Sequence, residues 1–175
     1  MKNFVDKASL VSAIRGIVTF RFMTDPEILD ILDHSDVIEL QEGELIVEEG
    51  DVSPYLYGIA EGFVAVSVGE GDRRVYVNSL GPGDIFGEAG IFMKVPRTAT
   101  VTAQSRSLIL RVHRTELAAF IKRHAEAGNK IFLVFIYGLL RKLKLANQEL
   151  AYERKADMAQ EDIDALVDDL FGDKA

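Results

Sequence analysis

Residues 86–101 read FGEAGIFMKVPRTATV, a stretch that follows the turn Gly81-Pro82-Gly83-Asp84 and ends in β-forming residues. Gly87 permits close approach to the backbone, and Glu88-Ala89-Gly90 can begin a single helical turn. The first N–H groups of such a turn lack internal partners and can together attract an anion. The stretch therefore predicts a bend, a helical turn and a strand in close succession.

Two side chains of this stretch carry opposite charges. Arg97 supplies a planar, permanently charged fork that suits a phosphate. The Glu88 carboxylate can accept hydrogen bonds from sugar hydroxyls. Together with the backbone amides they indicate a pocket for a ribose and a phosphate monoanion. The residues alone leave a second interpretation open, in which Glu88 and Arg97 are a surface ion pair beside an ordinary turn.

On both sides of this stretch, from Val37 to His113, short β-rich runs alternate with Gly, Asp and Pro. Their spacing predicts seven or eight strands in an antiparallel sandwich or jelly roll. A parallel doubly wound sheet is disfavoured because helical patterns do not alternate with the strands. The strand candidates are 37–40, 44–48, 55–60, 63–68, 74–80, 98–103 and 107–112.

Helical patterns precede and follow the strands. Residues 4–20 carry apolar positions at helical spacing, and Thr24 or Asp25 can cap a short helix that has Pro26 in its first turn. After Thr115 one helix is expected to end near Gly128, a residue type suited to a helix C-terminus.

A second, long helix is predicted from Asn129 to about Asp157. Its segment 131–140 is apolar on all sides, which is more than one sheet face can bury. Two explanations stay open at this point. Either the N-terminal segment covers the helix within the same chain, or the helix pairs with a second subunit.

The motif Phe86-Gly87-Glu88, with Arg97 nine residues after the glutamate in PRTAT, resembles the phosphate-binding cassette of cyclic nucleotide-binding domains. Such domains occur in catabolite activator proteins, in regulatory subunits of cyclic-nucleotide-dependent kinases and in gated channels. The resemblance covers roughly residues 23–150 and implies a mainly β fold: an antiparallel β-roll with N-terminal helices and a long C-terminal helix. Turn glycines of the family are matched at Gly43, Gly50, Gly62 and Gly83.

The resemblance also implies roles for single residues. Glu88 would bind the ribose 2′-hydroxyl and Arg97 the exocyclic oxygen of the cyclic phosphate. The amides of Gly87 and Ala89, with Thr98, would complete the phosphate shell. Cyclic AMP is the expected ligand because it is the common bacterial messenger. Cyclic GMP is expected to be tolerated, because a Thr after the Arg often accompanies cyclic GMP binding in this family. The predicted site is Phe86, Gly87, Glu88, Ala89, Arg97 and Thr98.

These patterns predict four segments: an N-terminal helical segment at 1–22, the β-roll and following helix at 23–128, a lid or dimer helix at 129–157, and an acidic amphipathic tail at 158–175. In the family the last helix folds over the base when nucleotide binds. Phe135, Tyr137 and Arg141 are near the part of the helix that could reach it.

The tail has apolar residues at 163, 166, 167 and 170, one stripe of a short helix with an acidic opposite face. Its sequence QEDIDAL, residues 160–166, is similar to the N-terminal peptide of the flagellar motor switch protein. The sequence DDLFG, residues 168–172, resembles the C-terminal peptide of the chemotaxis phosphatase. Both peptides bind the phosphorylated receiver protein of chemotaxis, which suggests a receiver-type partner for residues 158–175. A disordered or self-docked tail is the alternative.

Charge and composition narrow the classes of function. The formal charge is −8, but residues 157–175 hold seven acids and one lysine, so the remainder is at only −2. With no cysteine, a disulfide scaffold and thiolate chemistry are excluded. The acidic balance disfavours DNA binding, which depends on basic side chains. The three histidines, His34, His113 and His124, are scattered, so neither a metal site nor catalysis is expected. The longest apolar run is shorter than the about 20 residues of a membrane span, and a cytoplasmic location is expected.

The leading hypothesis is therefore a non-enzymatic, homodimeric sensor that binds a cyclic nucleotide and regulates a separate protein through its C-terminal helix and tail. The competing hypothesis is a ligand-free interaction module of the same fold, whose tail docks a receiver-type response regulator.

Overall fold

The computed structural model describes the backbone of residues 7–69 and 71–171, and side chains as far as residue 148 apart from that of Asp72. In this part of the chain, helices precede and follow the strands in sequence, and one short helix lies between the sixth and seventh strands. The helices are α1 (Lys7–Gly16), α2 (Asp25–Asp33), α3 (Ala89–Phe92), α4 (Arg114–Arg123) and α5 (Ala125–Phe171), with a 3-10 turn at Gly71–Arg73. The strands are β1 (Asp36–Leu40), β2 (Leu45–Val47), β3 (Tyr55–Glu61), β4 (Val64–Val68), β5 (Val75–Leu80), β6 (Ile85–Phe86), β7 (Thr100–Ala103) and β8 (Ser107–His113).

The strands form two four-stranded antiparallel sheets, in the orders β1-β8-β3-β6 and β2-β7-β4-β5. Each sheet mixes strands that are distant along the chain, for example β1 beside β8 with Ile38 opposite Ile109. This is the β-roll that the strand spacing and the family resemblance predict. The fold class expected from the sequence is thus confirmed.

Seven of the eight strands coincide, within two residues at either end, with the predicted runs. The eighth, β6, was not among the strand candidates. It consists of Ile85 and Phe86 alone, paired with Gly58 and Tyr57 of β3. Two residues are too few to show the alternation by which a strand is recognised in a sequence.

The roll has two apolar cores. One fills the space between the sheets and is built from Val47, Tyr57, Ile59, Val64, Phe86, Val101 and Ile109. The other lies under the helices, where Leu56, Leu110 and Val112 meet side chains of α1, α2, α4 and the start of α5. Because neighbouring residues of β3 and β8 contribute to different cores, their sheet is buried on both faces.

Helix α1 ends at Gly16, before the predicted end at residue 20. The following residues turn, and the N–H of Val18 donates to the carbonyl oxygen of Gly83 at 2.8 Å. Ile17 is fully buried against Gly58, where an added Cβ would lie 2.9 Å from the Ile17 side chain. Burial against the roll and a helix-weakening glycine therefore override the apolar periodicity.

Thr24 is the N-cap of α2, one of the two residues predicted for this role. The Thr24 N–H donates to the Glu27 carboxylate at 2.7 Å, and the Thr24 hydroxyl donates to the same oxygen at 2.9 Å. These bonds, the backbone one above all, hold the pKa of Glu27 below its usual value. Ile28 and Ile31 are the fully buried side chains of this helix.

One carboxylate connects α2 to the joint between α4 and α5. Asp30 accepts hydrogen bonds from the Arg123 guanidinium at 2.9 Å and from His124 Nε2 at 2.9 Å. Desolvation acts to raise the pKa of Asp30, but the bonds from Arg123 and His124 outweigh it and the pKa is lowered. The Asp30 side chain is only 22% exposed, so this pair is better shielded from solvent than a typical surface ion pair.

Gly128 does not end a helix, contrary to the prediction. Helix α4 ends at Arg123, and Gly128 lies in the first turn of α5 with its N–H bonded to the His124 carbonyl at 2.8 Å. A Cβ at this position would come within 2.7 Å of Ile121 Cγ2 and 3.3 Å of Ile121 Cα. The glycine is there because α4 and α5 approach closely. The long helix accordingly begins at Ala125 rather than Asn129.

The chain divides into two compact units between residues 135 and 136, and α5 contributes residues to both. In the first unit Ala127, Ile131 and Phe135 are buried in the helical core. In the second unit the described side chains, 136–148, are mostly exposed. The helical backbone continues to Phe171, but the apolar stripe and acidic face predicted for the tail lie outside the described side chains.

We expect opposite effects from alanine at two glycines of α5. Gly138→Ala should raise the free energy of unfolding by about 0.5–1 kcal/mol, because nothing lies within 4 Å of the added Cβ. Gly128→Ala should lower it by about 1–3 kcal/mol because Ile121 blocks the new methyl group. Urea unfolding of both variants measures the difference. A stabilising Gly128→Ala would show that the α4–α5 contact is looser than described.

Candidate functional site

The connection between β6 and α3 is a tight turn that only glycine fits. Gly87 has φ +82°, and an added Cβ would lie 2.7 Å from Arg97 Nη1 and 2.9 Å from the Tyr55 carbonyl oxygen. At Gly90 an added Cβ would lie 2.6 Å from the Ser53 carbonyl oxygen. The two glycines therefore let the backbone of this turn close around the Arg97 guanidinium.

Arg97 is the central side chain of the site and only 8% exposed. Its Nη1 donates to the Gly87 carbonyl oxygen at 2.9 Å. Its Nη2 donates to the carbonyl oxygens of Ser53 at 2.9 Å and Tyr55 at 2.7 Å, with the Ser53 hydroxyl at 3.3 Å. The guanidinium thus joins the turn after β6 to the segment that leads into β3.

The backbone of Arg97 is fixed to the same region. Its N–H donates to the Asp51 carbonyl at 2.8 Å, and its carbonyl accepts from the Gly50 N–H at 2.9 Å. These two bonds attach the backbone of Arg97 to the turn that follows β2. Main chain and side chain together give Arg97 a fixed place, with little freedom to turn towards solvent.

The charge of Arg97 is incompletely compensated. Burial lowers the pKa of its guanidinium, while the nearby Tyr57 and Glu88 side chains act to raise it. Carbonyl oxygens supply partial negative charge only. Arg97 Nε is buried and has no hydrogen-bond partner within the described part of the chain. A buried cation with an unused donor is suited to bind a small anion such as a phosphate.

The helical turn after Gly87 has the form expected for an anion seat. Gly90 and Ile91 donate to the carbonyls of Gly87 and Glu88 at 3.1 Å each, and Met93 donates to Ala89 at 2.9 Å. The two amides that the family resemblance assigns to the phosphate, those of Gly87 and Ala89, are not among the groups that these bonds use. The residues present therefore fit an anionic ligand.

The structure brings the predicted residues together around this turn, with different exposure. Glu88 is half-buried, and its charge is felt at Arg97. Ala89 and Thr98 are exposed. Phe86 differs from the others because its ring is 7% exposed and stacks on Tyr57, with centroids 4.8 Å apart. Its side chain belongs to the core between the sheets.

The sequence motif gives no indication of the partners that hold Arg97, namely Ser53, Tyr55 and Tyr57. Tyr55 acts through its backbone carbonyl and Ser53 through its carbonyl and, at 3.3 Å, its hydroxyl. Backbone carbonyls carry no residue-specific signal. The guanidinium also lies over the Tyr57 ring at 5.8 Å from the centroid. Since Ser53 is 44 residues from Arg97 in the chain, only the register of the roll brings them together.

The three residues predicted to lie near the base of a bound nucleotide differ in how exposed they are. Phe135 is 3% exposed and packs edge-on against Phe92 of α3 at 5.7 Å between centroids. In this conformation it is therefore a core residue that links the start of α5 to the turn of the site. Tyr137 and Arg141 are exposed.

The residues that the structure describes contain no group of three or more His, Cys, Asp or Glu side chains arranged to hold a metal ion. Among the same residues no helix has the length and apolar character needed to cross a lipid bilayer.

A β-roll with a buried arginine, a glycine cradle and a short helix at the ligand turn defines a class of small-molecule binding domain for phosphate-bearing ligands. Within this class, the model of the cyclic nucleotide-binding domain family matches residues 37–124. This match covers half of the chain, and the chain belongs to that family. Domains of this family are regulatory or sensory rather than catalytic.

Two relatives are similar to most of this chain. The chain is 30% identical over 151 residues to a Rhodopseudomonas palustris protein whose name proposes a potassium channel, covering 86% of this chain and 36% of that protein. It is 25% identical to the cAMP-dependent protein kinase regulatory subunit of Blastocladiella emersonii, covering 87% of this chain and 37% of that protein. The chain therefore spans little more than a third of these relatives.

Among solved structures, the chain is similar to the catabolite activator protein of Thermus thermophilus. The TM-score is 0.65 at 26% identity, covering 75% of this chain and 61% of that chain.

Gly87 and Gly43 provide a matched pair for testing the cradle. Both have positive φ, +82° and +85°, but an added Cβ at Gly43 meets nothing within 4 Å. Gly43→Ala should cost about 1–2 kcal/mol of stability from backbone strain alone. Gly87→Ala should cost at least about 1 kcal/mol more because it also displaces Arg97. Equal losses, measured by urea unfolding, would show that the Gly87–Arg97 contact is not tight.

Proposed function

We propose that this protein is a sensor that binds a cyclic nucleotide, with cyclic AMP the preferred ligand, and passes its state to a separate partner protein. The observation that carries the proposal is the buried Arg97, with its unused Nε donor, inside the glycine cradle that Gly87 and Gly90 form. In this role Arg97 would bind the cyclic phosphate, and Glu88 would accept a hydrogen bond from the ribose 2′-hydroxyl. The proposal includes a cytoplasmic location.

The choice of cyclic AMP is supported by the Blastocladiella relative, which is named for cAMP dependence. Cyclic GMP is proposed as a tolerated second ligand. Thr98 follows Arg97 directly and is exposed, so its hydroxyl is accessible to a ligand. Calorimetric titration of the full chain with each nucleotide tests the order, and tighter binding of cyclic GMP would reverse it.

Replacing Arg97 should impair binding. Arg97→Ala removes a charge-assisted hydrogen bond worth about 1.5–3 kcal/mol, so affinity for cyclic AMP should fall at least about tenfold. Arg74→Ala is the matched control, because Arg74 is exposed and its side chain has no partner among the described residues. Both variants would be titrated calorimetrically after far-ultraviolet circular dichroism confirms that they are folded.

Because Arg97 also ties backbone segments together, a second variant is needed. Glu88→Gln keeps the shape of the side chain and removes its charge, and it should weaken cyclic AMP binding while the fold is retained. Full affinity in both site variants would contradict the assigned roles. If the unsubstituted protein binds neither nucleotide, the competing hypothesis of a ligand-free interaction module takes its place.

We further propose that α5 pairs with the same helix of a second copy. In the second unit Ile136, Leu140 and Leu143 are each more than half exposed, at 54%, 60% and 58%. Together with Asn147 and Leu150 they follow the a and d positions of a heptad repeat. A single Asn at an a position is typical of a two-stranded coiled coil, where it specifies register and strand number.

Leu140→Glu should weaken self-association of the full chain because it places a charge in the proposed a/d seam. Leu145→Glu is the matched control: Leu145 is also exposed, at 48%, but lies on the opposite side of the heptad. Sedimentation velocity over a range of concentrations measures both. A monomeric unsubstituted protein, or equal weakening by the two substitutions, would contradict the proposed seam.

The identity of the partner protein is a prediction from the tail, residues 158–175. The similarity of this tail to receiver-binding peptides of chemotaxis and flagellar switch proteins favours a receiver-type response regulator as the partner.

A further inference from the structure

Residues of α3, α4 and the start of α5 line a groove on the first unit, distinct from the Arg97 site. The groove encloses about 460 Å³, within the range of clefts that bind small molecules. Its apolar lining includes Leu117 and Ile121 of α4, and the rings of Phe92 and Phe132. These two rings are 53% and 39% exposed although their centroids are 6.4 Å apart, so the groove leaves aromatic surface uncovered.

The charged side chains of this groove are both cationic. Among the nine described residues that line it, Arg114 and Lys122 carry a charge, and none is an aspartate or a glutamate. Neither of the two cations has a hydrogen bond or ion pair with any residue that the structure describes. The groove therefore combines an apolar lining with positive charge that the described residues leave uncompensated.

The two cations belong to one row along α4. Arg114, Ala118 and Lys122 follow one another at intervals of four residues, so each cation lies one helical turn, about 6 Å, from the alanine. Ala118 is exposed and its side chain is a single methyl group, which leaves space between the two longer side chains. An anionic group at this position could be reached from both sides.

The size of the groove favours a small molecule over a protein segment. A standard protein interface uses about 20–30 residues on each side, whereas nine described residues line this groove. A mostly apolar lining with a few charged groups that fix the orientation of the ligand is typical of small-molecule sites. The ligand that fits this pattern has an apolar body and one anionic head group.

We propose that this groove binds a free fatty carboxylate of medium chain length. The hydrocarbon chain would lie on Phe92, Phe132 and the apolar side chains of α4. The carboxylate would lie at Ala118, between Arg114 and Lys122. The proposal does not depend on nucleotide binding, because none of these residues belongs to the predicted Arg97 site.

Calorimetric titration of the full chain with octanoate, decanoate and laurate, each below the concentration at which it forms micelles, tests the proposal. Affinity should rise about tenfold with each pair of added methylene groups, because the added groups are buried on the apolar lining. Decanol has the chain of decanoate without its charge and should bind at least about fivefold more weakly. Absence of saturable binding of laurate by the unsubstituted protein would overturn the proposal.

A substitution that fills the groove tests where the carboxylate binds. Ala118→Phe should weaken laurate binding at least about tenfold, because the new ring occupies the space between the two cations. Ala8→Phe is the matched control, since Ala8 is also an exposed helical alanine but lies in α1, outside the groove. Circular dichroism checks that both variants are folded, and equal affinities in the two variants would contradict the site.

A pair of charge variants tests the role of the cations. Arg114→Gln combined with Lys122→Gln should weaken laurate binding about tenfold and leave decanol binding unchanged. Arg73→Gln combined with Arg74→Gln changes the net charge equally at two exposed positions outside the groove and should have little effect. The same loss in both double variants would show that the carboxylate responds only to overall charge.

The absence of tryptophan from the chain allows a local reporter. Laurate should change the emission of a Phe132→Trp variant, but not that of Tyr76→Trp, whose label lies on β5 outside the groove. Saturating cyclic AMP and the Arg97→Ala substitution should leave laurate binding in place, which separates this site from the proposed nucleotide site. Loss of laurate binding in Leu140→Glu would instead place the chain on the exposed part of α5 and overturn the proposal.

Discussion

The bonds of the Arg97 guanidinium to the carbonyls of Gly87, Ser53 and Tyr55 determine much of the geometry around the site. They join the turn after β6 and the approach to β3, which belong to one sheet, to the segment before β7, which belongs to the other. Each carbonyl that faces a buried cation is satisfied by it, and removing the side chain would leave several buried acceptors without donors. The group that we propose as the anion ligand therefore also holds the turn after β6 to the segment before β3. Under that proposal, loss of binding and loss of stability are linked at this residue.

This double use explains why Gly87 and Gly90 lie where they do. The guanidinium takes the space that a Cβ would fill at both positions, so the short helix α3 can exist only with glycine there. Phe92, at the end of that helix, packs against Phe135 and Phe132 of α5. The turn after β6 is therefore linked by direct packing to the first turns of α5, within the first unit.

Most of the β-roll could be predicted from the sequence because its strands alternate regularly and glycines separate them. Strand β6 could not, since a pair of residues has no period. The end of α1 and the role of Gly128 were misjudged for a common reason: both depend on what packs against the backbone, Gly83 in one case and Ile121 in the other. In the site, the motif identified Glu88 and Arg97, but it contained no information on the carbonyl oxygens that orient the arginine. Those contacts come from strand register, which local sequence does not encode.

The hydrogen bonds of Asp30 make it possible to follow movement of the joint between α4 and α5 from a label on α2. It holds Arg123 and His124 across 93 and 94 positions of sequence, so α2 and the α4–α5 joint share one anchor. Any displacement of the joint must either carry α2 with it or break three hydrogen bonds to a shielded carboxylate. A spectroscopic label on the outer face of α2, for example at Asp33, would therefore report movement at the origin of the long helix without touching it. The N-terminal helices would act as a built-in readout for a part of the chain far along the sequence.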